Sequence, residues 1–206
     1  MDTLSKKIKM STEINKIILS NNLDGYILPK NDKYFTEYSK INHLKSITNF
    51  SGSSGFAIFL KNKNYLFVDG RYTIQAEKES GEKFKICEIP YIWPKDILKK
   101  QIKIGFDPYL FTWGTLNKYF GDNYKLVPLN LKLKSERKNK NSYPFFSLDL
   151  VATGESTNKK IDRLIKIMKK EKIDYSFISS GENICWLLNI RGRDLPNSPI
   201  ANCKII

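Results

Sequence analysis

The chain is poor in the side chains that bind metals or attack substrates. Its 206 residues hold one histidine, His43, and three cysteines, Cys87, Cys185 and Cys203. No HExxH, HxH or CxxC spacing occurs. A zinc site needs several His, Cys or carboxylate ligands converging on one point, so the sequence offers no metal ligand of that kind, and His43 reads as a loop or helix-surface residue. Scattered cysteines in odd number fit a reducing compartment better than a disulfide framework. The longest apolar runs are about five residues, against roughly 20 needed to span a bilayer. The start, Met1 to Lys7, leads into an amphipathic pattern without an apolar core segment, so no secretory signal is expected and the expected location is cytoplasmic. Membrane partners are not expected either.

Arginine is scarce as well. The net charge is +14, yet only five of the 35 basic residues are arginine. Base and phosphate recognition favours the bidentate arginine fork. The lysines are spread along the chain, and the one cluster, Lys132 to Lys140, lies in a polar stretch. That stretch reads as an exposed linker before it reads as a nucleic-acid site. Nucleophile motifs are missing too. Gly52-Ser53-Ser54-Gly55 is neither the G-x-S-x-G elbow nor a phosphate loop, since no Gly-Lys-Ser/Thr follows.

What the chain does contain is concentrated in Asn49 to Glu77, NFSGSSGFAIFLKNKNYLFVDGRYTIQAE. Residues 49–55 read as a loop, with glycines that allow unusual backbone angles and serines that bond locally. Phe56–Leu60 and Tyr65–Val68 are short apolar runs separated by the polar residues 61–64, the pattern of a hairpin of mostly buried strands. Asp69-Gly70-Arg71-Tyr72 then breaks the strand and enters a helix through Thr73 to Glu77. Arg71 is expected at a sheet edge, paired with Asp69 or Glu77.

The rest alternates, which predicts an α/β protein. Thr3 to Ser20 is expected helical, Asp24 to Leu28 a strand, and Asp32 to Lys45 one or two short helices carrying Tyr34, Phe35 and Tyr38. Phe84 to Ile89 is a strand, Lys95 to Lys100 a short helix behind Pro94, and Lys103 to Phe106 a strand. Thr112 to Phe120 is a helix capped by Thr112 and stopped by Gly121, and Tyr124 to Leu129 is a strand. Leu131 to Ser147 is polar and basic and contains Pro144, which marks a linker. Beyond it a helix begins at Ser156 or Thr157 with an Ile161, Leu164, Ile165, Met168 stripe. Asp174 to Ser179 is expected as a strand and Glu182 to Leu188 as a helix, with Trp186 packed inside. The expected division is residues 1–130, a basic linker 131–147, and a partial second domain 148–206.

Five pieces, LDGYILPKNDKYFTEY, FSGSSG, VDGRYTIQAE, IGFDPYL and WLLNIRGRDLPNSP, occur in that order between Leu23 and Ile200. Together they resemble the N-terminal half of Xaa-Pro aminopeptidase, of the creatinase and prolidase family. The resemblance implies two related domains, each a mixed β-sheet flanked by helices, the second cut short here. It also implies that catalysis belongs to a C-terminal pita-bread domain absent from this chain. There, two divalent metal ions, manganese, sit on two Asp, one His and two Glu, and the whole enzyme removes an N-terminal residue that precedes proline. The chain is then expected to be inactive alone, with no catalytic residue, metal or cofactor of its own. Asp69, Arg71 and Tyr72 are its candidates for the wall of a substrate channel. Its expected partners are a second copy or a separately encoded catalytic domain, with proline-containing peptides bound only in the latter's company. One departure is plain: the connection after the first domain reads NLKLKSERKNKNSYP, without the family's Ile-Trp and Arg-Pro, so no linker contact is carried over. Two rival classes stand beside this reading, a stand-alone interaction subunit and a basic nucleic-acid binder.

The linker reading makes a direct expectation. Limited trypsin digestion should cut first within Lys132 to Lys140 and leave a core ending near residue 130 by mass. Equal protection through Ile206 in a monomer would contradict it.

Overall fold

The computed structural model describes residues 13–35, 42–99, 101–130, 143–195 and 197–206. Two compact units divide them, one holding the described residues up to 130 and the other those from 143 onward.

Strands that are apolar on both faces dominate the first unit. Its elements are α1 (described over residues 13–20), β1 (Gly25–Pro29), α2 (His43–Thr48), β2 (Phe56–Leu60), β3 (Asn64–Asp69), α3 (Thr73–Ser80), β4 (Lys85–Ile89), α4 (Pro94–Ile97), β5 (Lys103–Phe106), α5 (Trp113–Phe120) and β6 (Lys125–Pro128). The sheet runs β4-β3-β2-β1-β5-β6. Only β2 is antiparallel to its neighbours; β3–β4, β1–β5 and β5–β6 are parallel. Five strands therefore end at one side of the sheet. The two-residue period of a strand sends Tyr26, Leu28, Ala57, Phe59, Leu66 and Val68 to the face covered by α1, α2 and α3. Ile27, Phe56, Ile58, Tyr65 and Phe67 go to the other face, under α4 and α5. Continuous apolar runs such as FAIFL are what a strand covered on both faces requires. The mixed sheet flanked by helices that the sequence predicts is thus observed.

Local signals set the boundaries. Thr112 caps α5 by accepting from the Thr115 amide at 3.1 Å, and Gly121 ends the helix at φ 64°. Of the one or two short helices expected in Asp32 to Lys45, α2 is the one seen among the described residues. Asp32 Oδ1 instead accepts from the Tyr34 amide at 2.9 Å, and Phe35 sits at φ 59°. A side chain that bonds two residues ahead competes with helix formation, and residues 32–35 are not helical; α2 begins at His43, capped by Asn42. Tyr38 and the stretch Thr3 to residue 12 lie outside the described residues.

The second unit is helical with one small sheet. Its elements are β7 (Phe146–Ser147), α6 (Leu150–Thr153), α7 (Thr157–Lys170), α8 (Gly181–Leu187) and β8 (Ile190–Arg191), with β7 antiparallel to β8. β7 forms inside the segment read as linker. The strand expected over Asp174 to Ser179 is not formed: Ile178 and Ile205 exchange two backbone hydrogen bonds, at 2.9 and 3.1 Å, and form an isolated bridge. Tyr175 and Phe177, 83% and 61% exposed, find no adjacent strand among the described residues to extend that ladder. The stripe on α7 is only half covered, and the one buried side chain of that helix is Lys160. Its ammonium donates to the Trp186 carbonyl at 2.8 Å and to Asn189 Oδ1 at 2.6 Å, and lies 4.4 Å from the centroid of the Trp186 ring. Trp186, expected in a buried packing role, is instead 54% exposed, because its ring roofs this buried cation. Among the described residues no helix is long and apolar enough to cross a membrane.

Phe67 is fully buried and stacks on Phe56 with centroids 4.7 Å apart. Phe67→Ala should lower the unfolding free energy of the first unit by about 3–5 kcal/mol, read from urea denaturation. A loss below about 1 kcal/mol would mean that this face can collapse around the gap.

Candidate functional site

The loop at residues 49–55 is tied down by one carboxylate. The Ser51 amide and hydroxyl donate to the two oxygens of Glu79 at 2.7 and 2.8 Å, and Gln75 Nε2 donates to Ser51 Oγ at 2.8 Å and to Glu79 Oε1 at 3.1 Å. Burial pushes the Glu79 carboxyl up, but the donors from Ser51 and Gln75 outweigh it and hold it below the usual range. Gln75 and Glu79 are one helical turn apart on α3, so the helix grips the loop with two successive side chains. Gly55 closes the loop at φ 148°, and a Cβ there would come within 2.9 Å of the Phe67 carbonyl. No other residue type passes β3 at that distance without strain.

Asp69, Arg71 and Tyr72 come together where β3 ends. Arg71 Nε and Nη2 donate to the two oxygens of Asp69 at 2.9 and 2.8 Å, and the Arg71 amide donates to Asp69 Oδ1 at 3.0 Å. Asp69 is thus both cap of the short 3-10 turn Gly70–Tyr72 and partner of its arginine. The guanidinium carbon lies 5.2 Å from the Tyr72 ring centroid. The Tyr72 hydroxyl shares a 2.8 Å hydrogen bond with Ser53 Oγ, and its ring meets Phe50 edge-on with centroids 5.8 Å apart. The three residues named from sequence therefore form one surface with the loop. Their position differs in one respect: β3 is an inner strand, so Arg71 stands at a strand end and not on an edge strand. The Ser51–Glu79–Gln75 network was not foreseen. Its partners are 24 and 28 residues apart, and only the Gln75/Glu79 spacing hints at it.

Chemically this surface presents a carboxylate, a guanidinium and a phenol hydroxyl held in one arrangement. Asp69 is held as a carboxylate, its pKa lowered chiefly by the Arg71 side-chain hydrogen bonds, so it is a poor proton acceptor. The Arg71 side chain is 73% exposed and presents a cation flanked by an aromatic face. The donors do not fit a dinuclear metal centre: among the described residues no three His, Cys, Asp or Glu side chains converge to hold an ion. His43 opens α2, half-buried, within the first unit.

The Asp69–Arg71 pair should be worth less than about 1 kcal/mol, as exposed pairs are. Because the folded-state pKa of Asp69 is depressed, that contribution is present above the unfolded value of ~3.9 and is lost as pH falls through the folded value. Arg71→Ala should move the Asp69 carboxyl up toward its ordinary value in a carboxyl NMR titration. An unmoved titration would place the cause of the depression elsewhere.

A family model described as creatinase/prolidase N-terminal domain matches residues 12–138, and a second model of the same description matches residues 136–206. Xaa-Pro aminopeptidase 1 of Dictyostelium discoideum is 29% identical over 94% of this chain and 35% of its own length. An Xaa-Pro aminopeptidase of Caenorhabditis elegans is 30% identical over 98% of this chain and 36% of its own length. The solved structure of an X-prolyl aminopeptidase from C. elegans, described as a cytosolic enzyme with a di-nuclear active site, superposes with TM-score 0.80 at 26% identity, over 99% of this chain and 37% of that one. The chain thus spans about a third of the length of the relatives it matches. It belongs to the creatinase/prolidase N-terminal domain family and resembles the N-terminal region of Xaa-Pro aminopeptidases along nearly its whole length.

Proposed function

We propose that this chain serves as the non-catalytic N-terminal part of a cytoplasmic Xaa-Pro aminopeptidase-type metallopeptidase. In this role it walls the substrate channel with the Asp69–Arg71–Tyr72 surface and makes assembly contacts through its second unit. The observation that carries the reading is the exposed apolar surface of that unit. Phe145 is 65% exposed, Val151 99%, Tyr175 83%, Phe177 61% and Trp186 54%. A large apolar patch marks a surface that another polypeptide covers, and these five side chains are the material for one. The relatives are about three times as long as this chain, which supports a catalytic portion as the cover. The metal chemistry named for the C. elegans enzyme has no donor set among the described residues, so it would reside in that portion. There the metal would lower the pKa of its bound water and polarise the scissile carbonyl. A stand-alone subunit that complements a separately encoded catalytic chain, or a second copy, would use the same surface. The scarcity of arginine counts against nucleic acid as the partner.

The purified chain, with or without added manganese, should release no N-terminal residue from Xaa-Pro peptides. Robust metal-dependent release by the chain alone, with host aminopeptidases excluded, would overturn the non-catalytic reading. In an enzyme that joins this region to a catalytic domain, Arg71→Ala should raise KM several-fold without a change in melting temperature. Unchanged kcat/KM with lowered stability would reduce the ion pair to a turn brace.

A further inference from the structure

The sheet of the first unit carries a basic groove at the end opposite the Asp69–Arg71–Tyr72 surface. β3 starts there at Asn64 and runs away from it to Asp69. Two turns border the groove, residues 61–63 between β2 and β3 and residues 81–84 between α3 and β4. β3 and β4 are adjacent and parallel, with Tyr65 opposite Lys85, so both turns lie at one end of the sheet. The groove holds about 550 Å³, within the roughly 300–1,000 Å³ of ligand sites.

Its charge is mostly of one sign. Among the described residues Lys61, Lys63, Lys83 and Lys85 line it against one carboxylate, that of Glu82. Lys61 Nζ reaches Asp24 at 3.8 Å, with both side chains about half exposed, and Lys63 Nζ lies 5.5 Å from the Tyr65 ring centroid. Among the described residues no carboxylate stands within ion-pair distance of Lys63, Lys83 or Lys85. Like charges gathered in one groove repel, and a bound anion relieves that repulsion. The carboxamides of Asn15, Asn62 and Asn64 line the groove as well. A carboxamide both donates and accepts, as a peptide group does. The lining is unsuited to nucleic acid. It has no arginine to offer phosphate a fork, and the rings of Phe59 and Phe84, 3% and 5% exposed, are closed to base stacking.

We infer that this groove docks an acidic segment of a partner polypeptide, with its carboxylates on Lys63, Lys83 and Lys85 and its backbone amides against the asparagine side chains. This site rests on the first unit alone and does not need the function proposed above; its failure would leave the Asp69–Arg71–Tyr72 surface and the second unit's contacts as they stand.

The test is an amide-resolved NMR titration of the full chain, at low ionic strength, with end-blocked tetra-glutamate, end-blocked tetra-glutamine and a thymidine oligonucleotide of the same charge as the first. Tetra-glutamate should shift the amides of Asn62, Lys63, Lys83 and Lys85 in a saturable way. It should bind at least about tenfold more tightly than tetra-glutamine, and more tightly than the oligonucleotide. The triple variant Lys63→Gln, Lys83→Gln, Lys85→Gln should weaken binding about tenfold with an unchanged melting temperature. A second triple variant, Lys166→Gln, Lys169→Gln, Lys170→Gln, removes the same charge from exposed positions of α7 and should change binding less than about twofold. Glu82→Gln removes the groove's own carboxylate and should tighten binding. Absence of shifts at the four amides, equal binding of the two peptides, or an unaltered affinity in Glu82→Gln would overturn the assignment. So would equal losses in the two triple variants, which would mark net charge acting alone, and so would tighter binding of the oligonucleotide, which would mark a nucleic-acid site.

Discussion

The first unit depends on covering both faces of β2 and β3 at once. Phe56, Ile58, Tyr65 and Phe67 point one way and Ala57, Phe59, Leu66 and Val68 the other, and all eight are buried. Neither set reaches the interior unless helices pack on both sides. The connections supply them: α2 and α3 for one face, α4 and α5 for the other. Apolar burial at about 25 cal/mol per Å² makes this the dominant stabilising term. The crossovers that satisfy it also decide which loops gather at the carboxyl ends of the strands. The Asp69–Arg71–Tyr72 surface is a consequence of that single requirement.

The second unit meets its requirement only in part. α7 buries a lysine and leaves Ile165 and Ile167 42% and 55% exposed. Burying a cation costs several kcal/mol unless it is well partnered. Lys160 has two neutral oxygens and the face of Trp186, while the nearby carboxylate of Glu155 is held in a bidentate pair by Arg163 at 2.8 and 3.0 Å. Asn189 takes the left-handed conformation, at φ 55°, where it accepts from Lys160 and donates to the Glu155 carbonyl. This polar knot orders Trp186 without hiding it. An ordered, half-exposed tryptophan beside arginine is the composition from which interface anchors are made.

Where interactions are local, the sequence is a sufficient guide. The polar residues 61–64 between two apolar runs foretell the hairpin, and Thr112 and Gly121 bracket α5 as capping chemistry demands. Lys103–Phe106 is the strand that its pattern predicts. The reading loses its grip where a remote partner decides. Asp174 to Ser179 has a strand's composition, but pairing beyond one bridge needs a neighbour that the described residues do not provide. Trp186 looks like core until Lys160 is found beneath it, 26 residues away. Asp32 bonds ahead and keeps residues 32–35 out of the helix that the aromatic spacing invites. At the site, Asp69 and Arg71 were legible as a local pair. The grip of Glu79 on Ser51 depends on tertiary packing between residues 28 apart.

The second unit is proposed to work by being covered by another polypeptide. Hydrogen–deuterium exchange tests it most directly, with the chain alone and with an added catalytic domain from one of the Xaa-Pro aminopeptidases it resembles. Alone, the amides of β2 and β3 should exchange slowest, because opening them exposes both faces of the sheet. With the added domain, exchange should slow around Tyr175, Phe177 and Trp186 while β2 and β3 stay unchanged. Unaltered exchange at those three positions at a saturating concentration of the added domain would contradict the account.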